Sequence, residues 1–70
     1  MVEVKLGKYL HHKGKYYEVI GTAKHSETLE EFVVYRALYG NFDLWIRPKA
    51  MFLEMVPGNG KMIPRFEFVE

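Results

Sequence analysis

The sequence contains no cysteine. That absence excludes a disulfide framework, a Cys-ligated zinc or iron–sulfur centre, and a thiol nucleophile. Long apolar runs are missing too: none exceeds four residues, as in Phe32-Val33-Val34-Tyr35, where a membrane-spanning helix takes about 20. No charge of one sign dominates, with ten Lys+Arg against nine Asp+Glu and a net charge of +1. The strongly basic footprint of most nucleic-acid binders is therefore lacking. The stretch Met1 to Gly7 has no charged segment followed by an apolar one. No secretory leader is expected from it, and a cytoplasmic location is expected.

What is present is aromatic and apolar. Seventy residues allow one domain, 1–70, and a domain of this size buries only about 60% of the surface of its unfolded chain. Eleven aromatic side chains and four Met supply large buried areas that compensate. The 49% apolar fraction and balanced charge exclude a disordered tail. Lys5, Lys8, Lys13 and Lys15 share an acid-free stretch with His11 and His12, whereas Glu27, Glu30 and Glu31 form a short acidic run.

Breakers cut the chain into short segments suited to β-structure. Gly7 precedes a strand over Lys8 to Lys13, and Gly14 between lysines reads as a hairpin turn. Lys15 to His25 alternates, with Tyr17, Val19, Gly21 and Ala23 inward, and Gly21 marks a bend or bulge. Glu31 to Tyr39 supports two structures. Thr28 and Glu31 match a capping box for a helix over 28–39 stopped by Gly40, which would make the fold α+β. The strand is preferred, because β-branched and aromatic residues fill its centre. Gly40 to Asp43 reads as a turn, and Leu44 to Arg47 as a short strand stopped by Pro48. Pro48 to Met51 reads as one 3₁₀ turn and Phe52 to Val56 as a strand. Pro57 to Gly60 is an exposed loop tip, and Phe66 to Val69 a last strand. Five to six short strands with tight turns predict a mainly β fold, a small curled barrel. Trp45 to Val56 resembles the end of an SH3-like barrel, an analogy of architecture alone.

Several phrases together carry a family resemblance. They are Gly7-Lys8-Tyr9, Lys13-Gly14-Lys15-Tyr16-Tyr17, His25-Ser26-Glu27-Thr28, Val33-Val34-Tyr35-Arg36-Ala37-Leu38-Tyr39, Trp45-Ile46-Arg47-Pro48-Lys49-Ala50-Met51-Phe52 and Pro64-Arg65-Phe66. Over nearly its whole length the chain resembles the bacterial "domain of unknown function 1653" family. The resemblance implies a small, often free-standing bacterial domain. It implies no activity, cofactor or catalytic residue.

Candidate chemistry is sparse. His11 and His12 are neighbours on a strand, so their side chains point to opposite faces and do not chelate one metal. A site that adds His25 is disfavoured, and no metal or other cofactor is expected. His25, Ser26 and Glu27 have the residue types of a hydrolytic triad, but three consecutive residues seldom converge as one. Turn chemistry explains them better, with His25 and Glu27 on a polar binding rim as an intermediate role. Gly58-Asn59-Gly60-Lys61 lacks the spacing of a phosphate loop and reads as a flexible loop. An enzyme is not expected.

The constellation with most to offer is aromatic plus arginine: Tyr35, Arg36, Tyr39, Trp45, Arg47 and Arg65. If Leu44 and Ile46 face the core, Trp45 and Arg47 share the outer face, where indole and guanidinium suit a carboxylate, a phosphate, a stacked base or a peptide. The structural alternative has Trp45 capping the barrel and Arg47 paired with a carboxylate such as Glu54. Recognition of a protein or peptide segment on Tyr35, Tyr39, Trp45, Arg47 and Pro48 is the favoured function. The other is binding of single-stranded RNA, with Lys8, Lys13, Lys15, Arg36, Arg47 and Arg65 along the backbone. No membrane partner is expected.

Overall fold

Turn chemistry and strand alternation account for most of the elements in the computed structural model, which describes residues 3–70. Met1 and Val2, the start of the stretch read for a leader, lie outside the described residues. Strands β1 (Gly7–His11) and β2 (Tyr16–Lys24) form the expected hairpin. Gly14 closes it at φ +95°, a conformation open to glycine without a Cβ clash. Strand β3 (Glu31–Ala37) settles the ambiguous segment as a strand. The turn from Gly40 to Asp43 leads into β4 (Leu44–Pro48). Helix α1 (Lys49–Phe52) follows, one α-helical turn where a 3₁₀ turn was expected, with Pro48 at its N-cap. Pro48 lacks the N–H that a helix start leaves unpaired in any case.

Strands β5 (Met55–Gly58) and β6 (Lys61–Pro64) form a separate two-stranded hairpin, and β7 (Phe66–Phe68) ends the chain's strands. The loop expected to be flexible at Gly58 to Lys61 is in fact a tight turn. Asn59 and Gly60 both have positive φ, the conformation of a two-residue hairpin turn. The Asn-Gly pair was the available signal, and β6 is the strand that the sequence reading did not anticipate.

The main sheet has the order β4-β3-β2-β1-β7, antiparallel throughout. The expected barrel is not formed: the sheet does not close, and β4 and β7 remain its two edges. One face, here the inner face, carries the core. Tyr9, Val19, Val33, Tyr35 and Phe66 line it, and α1 delivers Phe52 onto it. Phe52, only 1% exposed, stacks parallel on Phe66 at 4.2 Å between ring centroids. Tyr9 meets Phe52 edge-on at 5.4 Å, and Tyr35 lies at 5.6 Å. A single sheet cannot bury a face by itself, and this short helical turn supplies cover over β3 and β4.

The expected bulge is present in β2, and its consequence was not foreseen. Pairing with β3 shifts between Val19 and Gly21. One extra residue reverses the pleat, so beyond it Thr22, paired with Val33, faces inward. Gly21 and Ala23, paired with Val34 and Phe32, face outward. The inward set is therefore Tyr17, Val19, Thr22 and, at the strand's end, Lys24.

Phe52→Ala removes the ring that α1 packs onto the core face of the sheet. Loss of a buried Phe costs about 3–5 kcal/mol, as much as the whole margin of many domains this small. The variant is expected to lose its cooperative thermal transition, as followed by circular dichroism.

Candidate binding face

Sheet register decides which of the singled-out residues meet. Trp45 pairs with Tyr35 and Arg47 with Val33, so Trp45 and Arg47 share the inner face with the core. Leu44 and Ile46 lie on the outer face beside Arg36 and Val34. This inverts the expected orientation of β4. Apolar Leu44 and Ile46 do not turn inward, because β4 is an edge strand and among the described residues both stay exposed on its outer face. Trp45 nevertheless remains 50% exposed, because it sits at the margin of the core.

Arg47 lies half-buried against the aromatic cluster. Its Nε donates to the Tyr35 hydroxyl at 3.4 Å, and its guanidinium carbon is 5.8 Å from the centre of the Phe66 ring. Glu54, considered as its partner, pairs instead with Arg65 at 2.8 Å. Among the described residues no carboxylate forms an ion pair with Arg47. Arg65 also retains a buried Nε with no hydrogen-bond partner. Beside them, the Tyr17 and Tyr39 hydroxyls share a 2.6 Å hydrogen bond, and Lys15 Nζ stands 5.1 Å from the Tyr39 ring centre. Burial and that hydrogen bond push the Tyr17 phenol up to about 12, so it is neutral at any physiological pH.

Three members of this face were not among the expected contact residues: His11, Tyr17 and Phe66. His11 meets Phe66 edge-on at 4.8 Å and Tyr17 at 6.0 Å. Alternation alone places each ring on an inward position, but only the β1–β7 and β2–β3 registers bring them toward β4. His11 and His12 do not point to opposite faces as expected. The strand ends at His11, and the two rings lie 4.4 Å apart. No group of three metal-ligating side chains occurs among the described residues.

The remaining candidates are placed elsewhere. Tyr35, only 5% exposed, belongs to the core and offers at most its hydroxyl. Arg36 faces outward and its Nη1 donates to the Phe42 carbonyl at 3.1 Å, which holds the β3–β4 turn. Pro48 pairs with Phe32 on the outer face and starts α1. His25 and Glu27 lie in the β2–β3 turn, at the opposite end of that hairpin from Tyr17. There the His25 Nδ1 accepts from the backbone N–H groups of Glu27 and Thr28, and Thr28 Oγ1 accepts from that of Glu30. Turn chemistry thus accounts for this cluster, and it does not border the aromatic face. The lysines and arginines are divided: Lys8 and Arg36 lie on the outer face, whereas Arg47, Arg65 and Lys13 stand near His11 and Lys15 over Tyr39.

The fold and face define a small, mainly β domain with one aromatic and guanidinium-bearing surface. The model of the family described as "Protein of unknown function (DUF1653)" matches residues 7–68, and the chain belongs to that family. A crystal structure of a DUF1653 protein from Bordetella bronchiseptica is similar to it, with a TM-score of 0.86 and 33% sequence identity. The match covers 96% of this chain and 88% of that one. No curated protein matches the chain. No helix among the described residues is long and apolar enough to cross a membrane.

Burial first, and then the positive charges of His12, Arg47, Arg65 and Lys13, hold the His11 imidazole below its ordinary value of 6.5. The unfolded chain therefore takes up this proton before the folded one does. The stability contributed by neutral His11 is complete above pH 6.5 and is lost as the pH falls below it. The thermal midpoint is expected to drop between about pH 7 and about pH 5, and His11→Gln to flatten that dependence.

Proposed function

We propose that this domain is a non-catalytic binding module that recognises a protein segment on the face bounded by Trp45, Arg47 and Tyr39. One observation carries the reading: a half-buried guanidinium on an aromatic floor, with no carboxylate partner among the described residues, next to a half-exposed indole. Desolvated arginine favours a partner that satisfies its planar fork, and a carboxylate does so with two parallel hydrogen bonds. The indole adds a flat apolar area, typical of the side chains that dominate binding energy at interfaces. The segment that fits bears an Asp or Glu close to an aliphatic or aromatic residue. Binding of single-stranded RNA is the second reading: Arg47, Arg65, Lys13 and Lys15 border the same aromatic face, but Lys8 and Arg36 lie on the other and the net charge is only +1.

Trp45 is the only tryptophan, so its fluorescence reports directly on the face. At fixed protein concentration, acidic–apolar peptides are expected to give a saturable change that Arg47→Gln weakens at least tenfold. Single-stranded RNA at low salt is expected to give none. A saturable RNA response that collapses as salt rises, with silent peptides, would replace this function by nucleic-acid binding. Trp45→Ala is expected to remain folded, with a stability change of about 1 kcal/mol or less as for a surface side chain, while losing the peptide.

A further inference from the structure

Among the described residues the edge strand β4 is left open in a way that protein edges seldom are. Natural sheets protect their edges with lysine, proline, bulges, short length or a covering loop. The other edge, β7, has only three residues, and beyond it the chain stays alongside β1, with Val69 N–H donating to the Lys8 carbonyl. Strand β4 has five residues and no lysine, and its only proline is the last. Leu44 and Ile46 are 54% and 64% exposed.

The direction of the free backbone groups follows from two hydrogen bonds. Ala37 N–H donates to the Asp43 carbonyl, and Leu38 N–H donates to the Tyr16 carbonyl. Odd residues of β3 therefore bond to β4 and even ones to β2. By the alternation of an antiparallel ladder, Trp45 and Arg47 spend their backbone groups on β3. Leu44 and Ile46 turn theirs away from the sheet, leaving two donors and two acceptors at the edge.

The edge is complementary to itself. Laid antiparallel about a two-fold axis at Trp45, Leu44 of one copy opposes Ile46 of the other, and all the outward donors and acceptors pair. The same register sets Asp43 of one copy against Arg47 of the other, twice. Shifting it so that Leu44 meets Leu44 or Ile46 meets Ile46 loses those charge pairs and brings in Phe42, whose N–H is already given to Tyr39, or Pro48, which has none. We propose that β4 joins β4 of a second copy in this register, making one continuous ten-stranded sheet. The contact buries Leu44 and Ile46 on the outer face and sets the two indoles side by side on the inner face. It uses the strand edge and does not depend on the function proposed above. The guanidinium has five donors, so Asp43 of the second copy leaves others for a ligand.

Sedimentation equilibrium of the ligand-free protein over a wide concentration range tests this. The expected result is a mass rising from 8.3 kDa towards twice that value. Ile46→Lys is expected to stay at the monomer mass with an unchanged circular dichroism spectrum. Asp43→Lys and Arg47→Asp place like charges opposite each other, and each alone is expected to be monomeric. Their mixture restores both attractive pairs and is expected to dimerise. If Ile46→Lys unfolds, the charge exchange decides alone. A wild-type mass of 8.3 kDa at every concentration overturns the proposal, as does a dimer indifferent to Ile46→Lys and to the exchange.

Discussion

The parallel stack of Phe52 on Phe66 is the contact on which the rest depends. An open five-stranded sheet has one face to bury and no second sheet large enough to cover it. Four residues of helix place a single phenyl ring over it, against the Phe66 ring that β7 contributes to that face. Tyr9 and Tyr35 close around the pair edge-on, a geometry that aromatic rings favour over a face-to-face sandwich of all four. Everything at the inner face is arranged around this cluster, including the floor on which Arg47 rests.

That dependence explains why the proposed binding face and the core are continuous. The core is small and aromatic, and its margin toward β4 runs out before the sheet does. Trp45 and Arg47 stand where the cover ends, each touching the core on one side and open on the other. An arginine there gains from the ring faces and the Tyr35 hydroxyl while its fork stays free of carboxylates. In a larger domain the same two positions would lie beneath a second layer.

Much of the local structure was legible in the residues. The Gly14 hairpin, the strand at 31–37, the bulge near Gly21 and the turn after Tyr39 follow from glycine placement and β-branched content. The Pro48 start of a helical turn follows from a missing N–H. The orientation of β4 was not legible, because Leu44-Trp45-Ile46-Arg47 alternates equally well in either phase. The usual rule, aliphatics inward, fails at an edge whose outer face is uncovered. The inward set of β2 was misread beyond Gly21 for a related reason. A bulge can be suspected from a glycine, but whether it adds a residue to the count depends on the partner strand.

The residues themselves determined the strand-rich class, the positions of the turns, the family and the list of aromatic and arginine side chains, all of which rest on local backbone preference or on motif. Only the tertiary structure decided that the sheet stays open, that Arg65 and not Arg47 takes Glu54, and that His11, Tyr17 and Phe66 border the same face as Trp45. Those outcomes depend on register between strands far apart in the chain. Register is set by how the whole aromatic cluster packs, which no short window of sequence contains.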